Sequence, residues 1–163
     1  MTAPELPFHI VIVCTGNTCR SPLAAGALVE ALGPERARVR VTSAGTGARE
    51  GQPATDAAIA VAAGDGVDIR SHRSRRVTPT LVRDADLVLV MERAHLDPVL
   101  ALGADAARTH VLSDWPAPGE PGLVVSDPFG GSREAYEETW RRIRRHLERV
   151  VPAVHEALRA RSA

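Results

Sequence analysis

Residues 8–22 of the 163-residue chain read FHIVIVCTGNTCRSP and carry the signals of a strand, a loop and a helix in succession. Residues 8–13 are mostly apolar and β-branched, as in a buried strand, and residues 23–32 repeat apolar side chains at helical spacing. Ser21-Pro22 open that helix, because proline fits the first helical turn, where its missing N–H leaves no bond unmade. A strand, a short glycine-bearing loop at 14–20 and a helix predict a cradle of backbone N–H groups for a tetrahedral oxyanion.

Cys14 and Arg20 are the reactive side chains of this loop. A helix N-terminus, inward N–H groups and a nearby arginine stabilise a thiolate, so we expect the pKa of Cys14 to be lowered. Arginine presents a planar fork that binds two phosphate oxygens. Their six-residue spacing predicts a sulfur at the base of the cradle and a guanidinium at its rim. A cysteine and an arginine without function are the alternative, but Gly16 and Asn17 in the same window favour the anion site.

Strands alternate with helices along the chain, which predicts an α/β fold with a parallel sheet covered on both faces. We expect one domain over 1–163, with a three-layer α/β/α architecture, about four parallel strands and a loose N-terminal arm at 1–7. The predicted strands are 8–13, 39–42, 87–91 and 110–112. The predicted helices are 22–32, 54–63, 79–83, 93–102 and 132 to about 151, with Thr78 and Ser132 as N-caps and loops at 43–53 and 115–122. Pro152 should end or kink the last helix, with another turn or two over 153–161.

Composition excludes several classes of function. The chain has 20 basic and 20 acidic residues and a formal net charge of 0, so nothing in its overall charge favours nucleic acid or an anionic membrane as a partner. No apolar run is long enough to span a bilayer, and no secretory signal is visible at the N-terminus. Two cysteines close together in one loop fit a reducing compartment, hence the cytoplasm. The six histidines are scattered without ligand spacing, so we expect neither a metal nor a cofactor.

Asp127-Pro128 is the second candidate for chemistry. Expelling a leaving group from phosphorus needs a proton donor, and proline holds the preceding residue extended. Gly130-Gly131 then allow a sharp path into the last helix. An ordinary turn aspartate remains the alternative at this point, because Asp-Pro-x-Gly is also common turn chemistry.

Five segments together resemble the low-molecular-weight protein tyrosine phosphatase family over roughly residues 8–150. These segments are VCTGNTCRSP at 13–22, SAGT at 43–46, SHRSR at 71–75, ADLVLVM at 85–91 and SDPFGGS at 126–132. The resemblance implies a phosphatase that hydrolyses phosphorylated protein side chains through a phosphocysteine, with Cys14 as nucleophile, Arg20 as phosphate clamp and Asp127 as general acid and base.

The resemblance also implies roles for the surrounding residues. The phosphate-binding residues would be Thr15, Gly16, Asn17, Thr18, Cys19 and Ser21. Ser43 and His72 would support Asn17, Ser21 would bond the nucleophilic sulfur, and Phe129 would wall the cleft. In the family the cysteine matching Cys19 can form a disulfide with the nucleophile, so we expect reversible inactivation by peroxide.

The substrate is open between phosphotyrosine and phosphoarginine. Tyrosine phosphatases of the family usually wall the cleft with aromatics, whereas this chain has Gly47-Ala48-Arg49 in one wall and Gly130 after Phe129. Thr18 stands where those enzymes commonly carry an apolar residue, and this threonine with the Asp-Pro-Phe-Gly-Gly-Ser segment resembles bacterial protein-arginine phosphatases. A neutral substitution at Thr18 is the alternative.

Two other functions are compatible with the same fold. An arsenate reductase needs a further cysteine pair beyond the active-site loop, and residues 20–163 contain no cysteine. A phosphate-binding module without catalysis would be indicated by loss of the nucleophile, the arginine or the acid, and Cys14, Arg20 and Asp127 are all present.

Overall fold

A four-stranded parallel sheet forms the centre of the computed structural model, which describes residues 3–118 and 124–162. The strands are β1 (Phe8–Cys14), β2 (Val39–Gly45), β3 (Leu87–Val90) and β4 (Thr109–Val111). Their order is β2-β1-β3-β4, and every neighbouring pair is parallel. The α/β fold with a small parallel sheet is therefore confirmed.

Helices cover both faces of this sheet. They are α1 (Arg20–Leu32), α2 (Asp56–Gly64), α3 (Pro79–Arg83), α4 (Leu96–Ala101) and α5 (Arg133–Ser162). Alternate residues of β1 point to opposite faces. Ile10 and Ile12 pack with α1, α2 and α5, whereas Val11 and Val13 pack with α3 and α4. The result is the expected three-layer arrangement.

The last helix differs from the expectation, because α5 continues through Pro152 to Ser162. A proline inside a helix costs about 3 kcal/mol. Val150, Val154 and Leu158 lie on the buried side of this segment, each at most 2% exposed. Burying such a side chain contributes roughly 1.5–3 kcal/mol. Packing against the core therefore outweighs the proline: the helix does not end at Pro152, and residues 153–161, expected as another turn or two, continue it.

Smaller differences occur at three other boundaries. The strand β2 extends to Gly45, where a loop was expected, because residues 43–45 continue the ladder with residues 12–14 of β1. The helix α1 begins at Arg20, two residues early. The expected helix at 93–102 is a short 3-10 turn, Arg93–His95, followed by α4.

Hydroxyl side chains begin three helices. Thr78 accepts a hydrogen bond from the backbone N–H of Leu81, and Ser132 accepts one from Ala135, as predicted. Thr55 caps α2 in the same way, through the N–H of Ala58.

The expected N-terminal arm and the second loop are described in part. Residues 3–7 are exposed, and the Glu5 carboxylate lies 3.4 Å from the Arg161 guanidinium. Residues 1–2 of the arm and residues 119–122 of the loop at 115–122 lie outside the described residues.

The carboxyl end of β1 is where this topology places a ligand site. The chain leaves β1 for β2 on one side and returns to β3 on the other, so the strand order reverses at β1. Ligands of open parallel sheets bind at such a point, beyond the carboxyl ends of the strands. Among the helices of the described residues, none is both long and apolar enough to cross a membrane.

Candidate active site

The loop between β1 and α1 closes tightly around its own backbone. Cys14 ends β1 and is 3% exposed, and Asn17 is fully buried with a positive φ of 57°. Asparagine tolerates this left-handed conformation better than most residues. The turn at Asn17 brings the backbone back toward the sulfur and leads into α1.

Two polar groups surround the sulfur of Cys14. The backbone N–H of Asn17 donates to Sγ at 3.3 Å, and the Ser21 hydroxyl lies 2.9 Å from it. The Asn17 side-chain amide donates to Ser21 Oγ at 2.7 Å. Because Ser21 Oγ accepts that bond, its own proton is free to point at the sulfur. Both contacts therefore suit a sulfur that accepts hydrogen bonds, as a thiolate or a leaving group does.

Asn17 is itself held from three directions. Its side-chain oxygen accepts the backbone N–H of Arg75 at 2.9 Å, and its amide also donates to Ser43 Oγ at 3.0 Å. His72 Nε2 lies 2.7 Å from the Asn17 carbonyl oxygen and donates to it. Burial lowers the pKa of His72, so the ring is neutral with its proton on Nε2. Ser43 and His72 therefore both contact Asn17, which is the residue that the family resemblance expects them to support.

Gly45, at the end of β2, allows a close approach to this loop. A Cβ there would collide with the Thr15 carbonyl oxygen and with Ala48. The next two residues bond directly to the loop, because the N–H of Thr46 donates to the Cys14 carbonyl and that of Gly47 to the Thr15 carbonyl, both at 3.0 Å. The Ser-Ala-Gly-Thr segment is therefore a backbone brace for the cradle.

Arg20 is buried at the first residue of α1, with 2% of its side chain exposed. Its Nη1 donates to Glu92 Oε1 at 3.0 Å and to the Val125 carbonyl at 3.3 Å. Its Nη2 lies 3.7 Å from Asp127 Oδ2. The guanidinium therefore joins the cradle to the segment that carries Asp127.

Asp127 lies at the mouth of the cradle, and about half of its side chain is exposed. Its Oδ1 accepts the backbone N–H of Phe129 at 3.1 Å. The Ser126 carbonyl accepts the Thr139 hydroxyl at 3.2 Å, which ties this segment to α5. The carboxyl group is thus held near Arg20 and open to a bound molecule.

A cavity of about 700 Å³ opens above the loop. Its wall consists of Cys14, Thr15, Gly16, Asn17, Thr18, Cys19, Arg20, Gly47, Arg49, Gln52, Pro53, Ala54, Thr55, Asp56, Asp127 and Phe129. Among the described residues of this wall, Phe129 is the one aromatic side chain, and 69% of it is exposed. The catalytic candidates Cys14, Arg20 and Asp127 therefore line one cavity.

Thr18 lines the same cavity and is half-buried. Its carbonyl accepts the backbone N–H of Thr55 at 3.0 Å, which fixes the residue beside the start of α2. Its hydroxyl makes a single weak contact with the described residues, 3.9 Å from Cys19 Sγ. The hydroxyl is therefore available to a substrate.

Cys19 shares the loop with Cys14, but its sulfur contacts a different set of groups. It lies 3.4 Å from the Tyr136 hydroxyl and 3.6 Å from the Thr55 hydroxyl. Burial and the neighbouring Cys19 raise the pKa of Tyr136 to about 12. Both cysteines are free thiols in this structure.

The acidity of Cys14 differs from the expectation. Burial raises the pKa of its thiol, while the hydrogen bonds from Ser21 and Asn17 and the charge of Arg20 act in the opposite direction. The expected lowered pKa is therefore not found, because the cost of removing the thiolate from water is larger than the stabilisation from the hydrogen bonds and the charge of Arg20.

Three further side chains of the site were not predicted from the sequence. Glu92 contacts Arg20, Asp56 lines the cavity, and His95 Nε2 lies 2.9 Å from the Thr15 hydroxyl. Glu92 follows β3, which is a neighbour of β1, so its carboxylate comes to the same edge of the sheet. That placement and the Glu-x-x-His spacing are signals that could have identified the pair.

Within the part of the chain that the structure describes, no group of three or more His, Cys, Asp or Glu side chains could hold a metal ion. The positive charge in the cradle is that of Arg20 and the N-terminus of α1.

A family model described as low molecular weight phosphotyrosine protein phosphatase matches residues 9–161. The low molecular weight protein-tyrosine phosphatase A of Mycobacterium tuberculosis is 36% identical over 157 residues, which cover 92% of this chain and 91% of that protein. The crystal structure of the Erwinia amylovora tyrosine phosphatase AmsI is similar with a TM-score of 0.79 and 32% identity, covering 94% of this chain and 97% of that one. The YwlE arginine phosphatase from Geobacillus stearothermophilus is similar with a TM-score of 0.80 and 32% identity, covering 93% and 95%.

Proposed function

Since the chain belongs to the low molecular weight phosphotyrosine protein phosphatase family, we propose that Cys14, Arg20 and Asp127 carry its hydrolysis of phosphorylated protein side chains. The observation that supports this assignment is their convergence on one cavity, with Arg20 Nη2 3.7 Å from Asp127 and with Cys14 at the base of the loop.

The reaction follows from this arrangement. Cys14 attacks phosphorus from below as a thiolate, the form that the Ser21 and Asn17 donors and the charge of Arg20 stabilise. Arg20 and the loop N–H groups neutralise the charge that spreads over the phosphoryl oxygens. Asp127 gives its proton to the leaving atom as the bond to phosphorus breaks. The resulting carboxylate then takes a proton from water, whose oxygen attacks the phosphocysteine. Ser21 donates a hydrogen bond to the departing sulfur, and orthophosphate, the Cys14 thiolate and a reprotonated Asp127 remain.

Phosphoarginine is the substrate that the cavity wall favours. Its guanidinium presents N–H donors directly beside the phosphoryl group. Thr18 offers an uncommitted hydroxyl there, and the side chains of Asp56 and Asp127 line the same cavity. A polar group that is buried without a hydrogen-bond partner costs roughly 1–3 kcal/mol. Such a difference is enough for about tenfold to hundredfold discrimination between phosphoarginine and phosphotyrosine.

Phosphotyrosine is the second candidate. The exposed ring of Phe129 lies in the cavity wall two residues after Asp127, where a phenyl group could stack on it. Relatives such as the Mycobacterium tuberculosis protein carry the protein-tyrosine phosphatase name.

The Thr18→Ile variant tests this choice. We expect the ratio of kcat/KM for phosphoarginine over phosphotyrosine peptides to fall about tenfold or more, because an apolar ethyl group replaces the hydroxyl. Both peptides are assayed side by side with parent, Thr18→Ile and Thr18→Ser, which keeps a hydroxyl and should keep the parent ratio. A ratio that is unchanged in Thr18→Ile would remove the hydroxyl as the selector.

We further propose one domain over 1–163 and a cytoplasmic location. The two free thiols of the described chain support the location, because such thiols persist in reducing compartments.

Peroxide should inactivate the protein reversibly through a Cys14–Cys19 disulfide. The two thiols give up two protons and two electrons, and peroxide is reduced to two waters. In Cys19→Ala no disulfide can form, and Cys14 proceeds to irreversible acids. We therefore expect much less activity to return with dithiothreitol in the variant than in the parent. Equal recovery of both proteins would rule out the protective disulfide.

A further inference from the structure

Glu92 and His95 form a reciprocal hydrogen-bonded turn at the carboxyl end of β3. The backbone N–H of Glu92 donates to His95 Nδ1 at 3.2 Å, and the Glu92 side chain accepts the backbone N–H of His95. His95 is 3% exposed. The turn fixes both side chains, and each of them points to a different residue of the phosphate loop.

Glu92 determines which N–H groups of the Arg20 guanidinium already have a hydrogen-bond acceptor. Guanidinium has five N–H donors in a fixed plane. The two acceptors on Nη1 are Glu92 Oε1 and the Val125 carbonyl, whereas Nε and Nη2 make no hydrogen bond within the described residues. The Nε–Nη2 edge is the one that binds two oxygens of a phosphoryl group in parallel. Glu92 therefore holds the guanidinium by Nη1 and leaves the Nε–Nη2 edge without a hydrogen bond to the described part of the chain, with Nη2 3.7 Å from Asp127 Oδ2.

His95 acts on the other end of the loop. Because Nδ1 accepts the Glu92 N–H, the ring proton is on Nε2, which donates to Thr15 Oγ1 at 2.9 Å. Thr15 follows Cys14 directly, and its carbonyl accepts the N–H of Gly47. A neutral His95 thus fixes the first residue after the nucleophile.

We propose that Glu92 and His95 are positioning residues, which set Arg20 and Thr15 in the geometry that binds phosphate before a substrate arrives. This inference rests on the proposed function of the loop. Neither residue is assigned to contact the substrate.

The first test is a double-mutant cycle between Glu92 and Arg20. Loss of a charge-assisted hydrogen bond to Arg20 should lower kcat/KM for p-nitrophenyl phosphate about tenfold to hundredfold in Glu92→Ala, with a partial recovery in Glu92→Gln. In the Arg20→Lys background, Glu92→Ala should lower kcat/KM less than about threefold, because lysine has no planar guanidinium to orient. Each variant is first checked for a cooperative thermal transition.

Arg93→Ala is the matched control from the same turn, because its guanidinium pairs with Asp114 at the exposed surface. Its kcat/KM should stay within about twofold of the parent. Equal losses from Glu92→Ala in both Arg20 backgrounds, or a Glu92→Ala variant as active as Arg93→Ala, would overturn the proposal. A parent protein that fails to hydrolyse p-nitrophenyl phosphate would instead overturn the proposed function.

The second test uses pH and sulfate, a tetrahedral dianion that does not titrate near neutrality. A second proton on His95 would go to Nδ1, where the Glu92 N–H already points. The charged groups facing the ring are Arg20, Glu92 and Asp127, and burial with Arg20 lowers its pKa from 6.5. Sulfate affinity by calorimetry should therefore fall as the pH decreases below 6.5 through the lowered pKa. In His95→Gln the decrease in sulfate affinity at low pH should be smaller than in the parent. The same pH dependence of sulfate affinity in both proteins would contradict the role of His95.

Discussion

Cys14→Ser should lose at least roughly three orders of magnitude in kcat on p-nitrophenyl phosphate. A serine hydroxyl is a far weaker nucleophile than a thiolate, and the groups around it, Ser21 and the Asn17 N–H, are donors that cannot take its proton. The fold should be unaffected, because the oxygen is smaller than the sulfur it replaces. Initial rates of parent and variant, with thermal unfolding of both, measure this.

Cys19→Ser is the same chemical change five residues along the loop. Its sulfur contacts Thr55 and Tyr136 and lies outside the donors around Cys14. We therefore expect it to cost far less activity than Cys14→Ser. Activity in both parent and Cys14→Ser, or in neither, would contradict a phosphocysteine route, and the second result would favour a binding module without catalysis.

Asp127→Asn should slow the two steps of the reaction unequally. p-Nitrophenol leaves with little help from an acid, so attack by Cys14 should remain fast. Hydrolysis of the phosphocysteine needs a base, and its rate should fall by about 10²–10⁴-fold. Stopped-flow measurements should then show a burst of p-nitrophenol equal to the enzyme concentration, followed by slow turnover.

Asp114→Asn is the control for this prediction. Asp114 lies 3.4 Å from Arg93 at the surface and is outside the cavity wall. Its substitution should change kcat by less than about twofold. A variant at Asp127 that turns over as fast as Asp114→Asn would remove Asp127 from the reaction.

The strand, loop and helix at residues 8–32 could be read from sequence because local signals agree there. The apolar run ends at Cys14, and Pro22 opens the helix, so the position of the cradle follows from residues close in the chain. The Asp127-Pro128 segment is different. Its place beside Arg20 depends on long-range packing of α5, and the family resemblance was the reason to expect it there.

The features that sequence could not supply depend on distant contacts or on a balance of opposing energies. The helix α5 passes Pro152 because burial outweighs a lost hydrogen bond. The pKa of Cys14 is raised because desolvation outweighs the donors. Glu92 meets Arg20 across 72 residues of chain, and the pairing of β1 with β3 places the two residues at the same edge of the sheet.

Rapid acid quench of Asp127→Asn with p-nitrophenyl phosphate, followed by intact mass measurement and peptide mapping, tests the phosphocysteine mechanism most directly. We predict that one phosphoryl group accumulates on the protein and maps to Cys14. Protein that carries no phosphoryl group during the burst, or one that maps to another residue, would contradict the mechanism.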